Sequence, residues 1–393
     1  MPVKTEKSMK QHSHDTSYQL YILSAIAIFF VILGHIRFGY VDMTEIGTFY
    51  GWFPYYSFHL PIFLFISGYF WKDPSENRYF PELGCFFLKK IKNLLVPYFV
   101  INGIFLLLGN VLSGQGITFL QTFTWQRWLL HPWTRPYLIT FSVPTWYLIA
   151  LFIAEIYFVL LRGLFRLFLK KELLREIALL VLTLALGVLA AYLKKTAAPS
   201  DAAVVYLRSA AMLFFLQVGY FYKHHLEAVD ALGNVPYFLI LFGIQFLIIL
   251  LSGNNILSPG LYALLDFNYT GYNFFLAGLT GTFLWLRISR LICLIPARSR
   301  LLIFIGKNTK YIMSFHVFGA FLLNYIFSLL YKARIGMTFL RDFSPQRFRS
   351  YLYYACVGNP RMILLYFFAG LFFSLGLAWV IQLVKGLFRK KRA

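Results

Sequence analysis

The sequence predicts an all-α integral membrane protein with about ten transmembrane helices in one bundle. Its 393 residues are 59% hydrophobic and only 13% charged, and the mean hydropathy is +0.66. This composition is typical of a polytopic membrane protein, because a soluble chain so apolar would aggregate. A helix needs about 17 to 25 apolar residues to cross a hydrocarbon core of about 30 Å. Ten such runs occur, near 19–40, 55–71, 94–113, 141–162, 176–193, 203–222, 236–252, 271–287, 310–331 and 362–385.

The first apolar run is predicted to stay in the protein as a helix. It is longer than the core of a signal peptide and lacks a small-residue cleavage site. We therefore expect a disordered cytoplasmic tail over 1–17, one membrane domain over 18–387 and a basic cytoplasmic tail over 388–393. No soluble domain is predicted.

The net charge of +22 is distributed in a way that predicts topology. Most Lys and Arg residues stand in short loops beside helix ends. With the N-terminus inside, the inner side carries 25 basic residues and the outer side 11. The positive-inside rule then places both termini in the cytoplasm. The basic clusters also indicate contact with anionic membrane lipids, and no nucleic acid partner is expected.

No metal site is predicted, because the three cysteines, Cys85, Cys293 and Cys356, show no metal-ligand spacing.

A histidine inside the first apolar run is the first candidate for chemistry. The segment "AIFFVILGHIRFG" carries His35, and an imidazole without a partner is costly in hydrocarbon. Ser24 lies eleven residues earlier, about 16 Å along the helix and on nearly the same face. If this stripe faces a cavity, His35 can act as a base. If it faces a neighbouring helix, the imidazole is buried and bonded to a backbone carbonyl.

The second apolar run carries another histidine and a small-residue pair. In "FHLPIFLFISGYFWK", His59 precedes the helix, and Ser67 and Gly68 stand near its end. A Ser-Gly pair permits close approach of a ligand or of another backbone within a membrane. Helix packing alone also explains the pair.

Two later segments place polar residues within apolar runs. The first segment, "PTWYLIALFIAEIY", has Trp146 near its start and contains Glu155. The second, "FIGKNTKYIMSFHVF", places Asn308 at the start of a predicted helix and His316 about two turns further on. A carboxylate within the membrane is a functional candidate by default. The alternative is that Glu155 pairs with a cation near the inner end of its helix.

These segments, taken in order, resemble the membrane-embedded acyltransferase family 3. "ILGH", "FHLPIFLFISGYF", "KKIKNLLVPYF", "PTWYLIALF" and "FIGKNTKYIMSFH" follow one another over about 18–385, and the resemblance is strongest to the fucose O-acetylase-like branch. The resemblance implies that an acyl-CoA, usually acetyl-CoA, gives its acyl group to a hydroxyl of a cell-envelope glycan or a lipid-linked sugar. It also implies a location in the cell (cytoplasmic) membrane.

The resemblance suggests roles for individual residues. His35 is the histidine of the first helix, as a general base or as the carrier of the acyl group. Asn308 or a donor near Ser67 is expected to stabilise the oxyanion. Lys89, Lys90 and Lys92 are expected to bind the CoA phosphates as point charges. We assign the remaining candidates, His59, Trp146, Glu155 and His316, to substrate binding.

The chain departs from the family pattern at one position. The family typically has Arg or Lys eleven residues before the histidine, where this chain has Ser24. A hydroxyl cannot supply that cation to the donor site. Two alternatives to the enzyme therefore stay open, a lipid-linked saccharide transporter or flippase and a catalytically inactive family member in polysaccharide export.

Overall fold

The computed structural model describes residues 6–37, 47–48, 52–74, 79–136, 138–228, 230–252, 271–341, 343–355 and 360–390. Cys356 and residues 1–5 of the predicted N-terminal tail lie outside these ranges. The helices are α1 (Glu6–Arg37), α2 (Tyr55–Tyr69), α3 (Tyr79–Lys90), α4 (Val96–Gly114), α5 (His131–Thr134), α6 (Trp146–Phe168), α7 (Glu172–Thr196), α8 (Asp201–Phe221), α9 (Asn234–Ser252), α10 (Gly271–Cys293), α11 (Pro296–Lys307), α12 (Thr309–Lys332), α13 (Pro345–Ser350) and α14 (Pro360–Lys390).

Shorter elements connect these helices. A 3-10 helix spans Thr140–Thr145, and π-helical turns span Ile91–Leu95, Gln126–Leu130 and Tyr222–Leu226. Two short strands, β1 (Gly47–Thr48) and β2 (Phe53–Pro54), pair antiparallel with Gly47 opposite Pro54.

Among the described residues, nine helices are long and apolar enough to cross a membrane. This confirms the predicted all-α integral membrane protein. The apolar run near 55–71 accounts for the difference from the ten expected spans. It forms α2, whose 15 residues reach about 22 Å, which is less than the thickness of the hydrocarbon core. The nine spans are Thr16–Ile36, Pro81–Gly114, Thr140–Phe168, Glu172–Thr196, Asp201–Leu226, Asn234–Leu251, Phe274–Cys293, Thr309–Lys332 and Arg361–Leu387.

Helices extend into both segments that the sequence analysis assigns to tails. α1 begins at Glu6, inside the segment 1–17, and α14 ends at Lys390, inside the segment 388–393. The helical part of the chain is therefore longer at each end than the predicted membrane domain.

Contacts divide the chain into two compact units. Unit 1 comprises Met1–Phe30, Asp42–Ile91 and Ala150–Lys307. Unit 2 comprises Val31–Val41, Lys92–Ile149 and Asn308–Ala393. The chain passes from one unit to the other within α1, within the π-helical turn after α3, within α6 and between α11 and α12, and a further boundary, between residues 41 and 42, lies outside the described residues.

Unit 1 is built around a crossing of α2 and α8 at which the two backbones touch. A Cβ atom added to Gly68 would lie 1.9 Å from the Leu216 carbonyl oxygen, and one added to Gly219 would lie 2.0 Å from the Phe65 carbonyl oxygen. Only glycine fits at such distances, which is typical of close helix pairs in membranes. The Gly68 position therefore serves helix packing.

Unit 2 is built around α12 and α14, which pack closely. A Cβ atom on Gly319 would lie 3.0 Å from the Ala369 carbonyl oxygen, and one on Gly370 would lie 2.9 Å from the His316 carbonyl oxygen. Phenylalanines from α4, the 3-10 helix and α12 fill the space around this pair. Phe141 contacts Phe318 and Phe321, with ring centroids 5.0 and 4.6 Å apart.

Candidate functional site

Two histidines from distant parts of the sequence meet in unit 2. The His35 ring, near the end of α1, and the His316 ring, in α12, have centroids 5.0 Å apart and an interplanar angle of 62°. The Nδ1 atom of His35 lies 3.3 Å from the Nε2 atom of His316. His316 is 2% exposed, whereas His35 is only partly buried. His316 is therefore the more deeply buried residue of the pair.

The hydrogen-bond partners assign the tautomer of each ring. The His35 Nδ1 atom lies 2.7 Å from the Val31 carbonyl oxygen, and the His316 Nδ1 atom lies 2.7 Å from the Ile312 carbonyl oxygen. A carbonyl oxygen can only accept, so both Nδ1 atoms carry the hydrogen. The Nε2 atom of His316 then accepts from the Nδ1–H group of His35. This leaves the lone pair of the His35 ring on its Nε2 atom.

The packing of α12 fixes the more deeply buried ring of the pair. Gly370 of α14 lies against the His316 backbone, where an added Cβ atom would stand 3.2 Å from the His316 Cβ atom. On the neighbouring turns, the Phe315 and Phe318 rings contact Phe105 of α4, with centroids 5.8 and 5.4 Å away. An apolar setting of this kind strengthens the electrostatic contacts between the rings.

Asn308, a predicted oxyanion donor, lies at the start of α12 and away from the histidines. It is 2% exposed, and its Oδ1 atom accepts a hydrogen bond of 2.9 Å from the Gln382 amide of α14. Eight residues separate it from His316, which corresponds to about 12 Å along the helix. The structure therefore does not bring Asn308 to the histidine pair. Trp146, another predicted site residue of unit 2, is 7% exposed at the start of α6.

Three predicted site residues of unit 1 make contacts within their own helices, and two of them, Ser24 and His59, are buried. The Ser24 hydroxyl donates to the Leu20 carbonyl oxygen at 2.9 Å, and the Ser67 hydroxyl donates to the Phe63 carbonyl oxygen at 2.9 Å. His59 is 7% exposed and contacts the Tyr56 ring, with centroids 5.6 Å apart. The two serine hydroxyls thus bond to the preceding turn of their own helix, as serines in membrane helices often do.

Lys90 and Glu155, which the sequence analysis assigns to different ligands, form an ion pair. The Lys90 Nζ atom lies 2.7 Å from the Glu155 Oε1 atom, and it stands 5.1 Å from the centre of the Trp71 ring. Glu155 is 4% exposed. Glu155 thus pairs with a cation, as the alternative interpretation of its sequence position predicts. Lys89 and Lys92 are exposed.

A buried charge network in unit 1 was not recognised in the sequence. Arg162 is fully buried in α6, where its guanidinium reaches Asp73 at 2.8 Å and Glu176 at 2.7 Å. Its Cζ atom lies 3.6 Å from the centre of the Tyr220 ring, and Gln217 donates to Glu176 at 2.8 Å. Arg162 is the last residue of the apolar run predicted near 141–162, where a basic residue is expected from topology alone. Its spacing from Arg166 on one helix face, with Asp73 and Glu176 at neighbouring helix ends, was the only available signal.

The comparison with known families agrees with the resemblance seen in the motifs. Residues 18–383 match the acyltransferase domain of acyltransferase family 3. Because the match covers nearly the whole chain, the protein belongs to this family and is a multi-pass membrane acyltransferase. No curated protein and no solved structure matches the chain.

Proposed function

We propose that the protein transfers an acyl group, most simply acetyl, from acyl-CoA to a hydroxyl of a cell-envelope glycan or a lipid-linked sugar. The observation that carries this proposal is the histidine pair. The Val31 carbonyl and His316 orient the His35 imidazole in the tautomer whose Nε2 atom bears the lone pair, and the Ile312 carbonyl orients His316 in turn. The chain belongs to an acyltransferase family, and acyl transfer to a hydroxyl requires a base such as this nitrogen.

The proposed reaction needs one base that later acts as an acid. The Nε2 atom of His35 takes the proton of the acceptor hydroxyl while its oxygen attacks the thioester carbonyl carbon. The His35 imidazolium then donates from Nδ1 to Val31 and His316, which stabilises its charge. When the carbon–sulfur bond breaks, Nε2 returns the proton to the departing sulfur. The products are the sugar ester and free CoA, and the histidine ends in its starting state.

The donor is proposed to reach this centre from the cytoplasmic side. The exposed side chains of Lys89 and Lys92 are available to the CoA phosphates, whereas Lys90 is paired with Glu155. The donor site that we propose therefore uses Lys89 and Lys92, and Lys90 has a structural role.

A catalytically inactive family member is the second candidate, and Ser24 favours it. The Ser24 hydroxyl is 6% exposed and donates to the Leu20 carbonyl, so this position offers neither a charge nor an available donor. Under this alternative the protein binds a saccharide without modifying it.

One assay separates these functions. The purified protein is incubated with radiolabelled acetyl-CoA and candidate envelope glycans, and the products are analysed by mass spectrometry for an added acetyl ester. Labelled ester is the expected result. Saccharide movement across vesicles without modification would instead identify a transporter or flippase.

A substitution at position 24 tests the inactive alternative. If the native protein forms no ester but Ser24→Arg does, the chain is an inactive member whose lost cation can be restored. If both proteins form ester at similar rates, the cation at this position is dispensable and the enzyme is supported.

A further inference from the structure

The two units differ in how their basic residues are compensated. Unit 2 contains sixteen Lys and Arg residues but a single carboxylate side chain, Asp342, which lies outside the described residues. Unit 1 contains fourteen acidic residues, and every ion pair between described residues lies within it. The described residues of unit 2 therefore include many cations and no carboxylate.

Two of these cations converge where α12 begins and α14 nears its end. Gln382 of α14 donates to Asn308, the residue immediately before α12. Lys310 follows Asn308 by two residues, and Lys385 lies one helical turn beyond Gln382. The hydrogen bond between Gln382 and Asn308 therefore brings both lysines to the same end of the paired helices.

The surroundings hold the Lys310 ammonium in place without neutralising it. Its Nζ atom donates to the Asn93 carbonyl oxygen at 2.7 Å, in the turn that also carries Lys92. The Lys310 side chain is partly buried, and Lys385 and Lys92 are exposed. Positive charge is also unfavourable in the first turn of a helix, where the backbone dipole has the same sign. An anion bound beside these lysines would offset their positive charge.

We infer that Lys310 and Lys385, beside Lys92, form a binding site for a phosphate group. A phosphate offers several charged oxygens, which can accept hydrogen bonds from more than one ammonium group at once. Two sources of phosphate are available on the side where the charge distribution places these lysines. They are the nucleotide part of an acyl-CoA and the headgroup of an anionic lipid. The first source rests on the proposed function, and the second is independent of it.

The test compares two phosphate sources with three charge-neutralising variants. Lys310→Gln and Lys385→Gln alter the site, and Lys332→Gln removes a lysine from the opposite end of α12 as the matched control. Free CoA is titrated into the detergent-purified proteins by calorimetry, and pantetheine, which lacks the phosphates, is titrated in parallel. Retention of phosphatidylglycerol is measured by native mass spectrometry after purification from vesicles that contain it and phosphatidylcholine.

The inference predicts that Lys310→Gln and Lys385→Gln each lower the affinity for one of the two phosphate ligands by about tenfold or more. Lys332→Gln should bind as the native protein does, Lys310→Arg should retain binding, and pantetheine should not respond to any variant. A selective loss of CoA binding identifies the donor as the source, and a selective loss of phosphatidylglycerol identifies the lipid.

The inference is overturned if both ligands bind equally to the native protein and to the two site variants, or if neither binds the native protein. This result is distinguishable from failure of the proposed function. A native protein that forms no ester but loses phosphatidylglycerol in Lys310→Gln retains the phosphate site and lacks the enzyme activity. An active enzyme that binds CoA and phosphatidylglycerol equally well with and without the two substitutions retains the function and lacks the site.

Discussion

Buried polar groups are handled differently in unit 1 and unit 2. In unit 1 they neutralise one another, as Arg162 does with Asp73 and Glu176 and as Lys90 does with Glu155. In unit 2 the polar contacts include the pair of His35 and His316 and the bond from Gln382 to Asn308, and the described residues of this unit include no carboxylate. Paired charges are typical of a scaffold. A neutral ring with one uncommitted nitrogen is suited to proton transfer, so we assign chemistry to unit 2.

The largest stability effect is expected from the centre of the unit 1 network. Arg162→Met leaves the Asp73 and Glu176 carboxylates buried without their guanidinium, and it should lower the free energy of unfolding by about 3–5 kcal/mol. Thermal unfolding in detergent measures the change. Arg290→Met is the control, because Arg290 is 52% exposed and lies 4.0 Å from Asp230. Equal melting temperatures for the two variants would show that the network does not stabilise unit 1.

The next effect should fall on the reaction rate. His316→Leu removes the acceptor that orients His35 and should lower kcat about 100-fold with little change in KM. His316→Gln keeps an acceptor oxygen within reach and should recover most of the rate. Steady-state ester formation measures both variants. A Gln variant as slow as the Leu variant, or a Leu variant changed only in KM, would argue against positioning by His316.

A smaller stability effect is expected at the ion pair of Lys90. Lys90→Met leaves the buried Glu155 carboxylate without its cation and should lower the free energy of unfolding by about 1–3 kcal/mol. Lys90→Met combined with Glu155→Leu should recover part of this loss, because no buried charge then remains. If Lys90→Met instead weakens CoA binding without changing the melting temperature, Lys90 belongs to the donor site.

The smallest effect concerns the pH dependence of unit 1. Burial raises the pKa of the Asp73 carboxyl, but hydrogen bonds and charge from Arg162, together with Arg166, outweigh it and hold this pKa below its ordinary value. The stabilisation from Asp73 is therefore fully present above the unfolded pKa of about 3.9 and is lost as the pH falls through the lower folded value. Between about pH 8 and 5, the contribution of Asp73 to the melting temperature should therefore stay constant.

Below about pH 4 the melting temperature should fall, and Asp73→Asn should reduce this acidic decline. An identical decline in the native protein and in Asp73→Asn would show that protonation of Asp73 does not cause the loss of stability in acid. Melting curves recorded in one buffer series across this range provide the measurement.

The membrane class and most helices could be predicted because long apolar runs are a local property of the sequence. The exception at α2 has a local cause. The apolar run near 55–71 is long enough by hydropathy, but the helix begins after β2 and ends at Tyr69. The helix begins with the run but ends two residues before it does, and a hydropathy window does not show where a helix ends.

The partners of the candidate residues could not be predicted, because they depend on which helix faces meet. His35 is conspicuous in its apolar run, but its contact His316 lies 281 residues away. Lys90 resembled a phosphate-binding lysine until the structure placed it against Glu155, 65 residues further on. A count of loop charges likewise cannot show that Arg162 is buried, since its carboxylates come from other elements.

The central claim is tested most directly by the acyl-transfer rate of His35→Ala, measured per mole of folded protein. His131→Ala serves as a control, because it removes an imidazole of unit 2 that has no contact with the histidine pair. We expect the His35 variant to lose about 100- to 10,000-fold in rate, with its melting temperature close to that of the native protein, while His131→Ala keeps the native rate. Acyl transfer at the native rate by folded His35→Ala would contradict the assignment of the catalytic base.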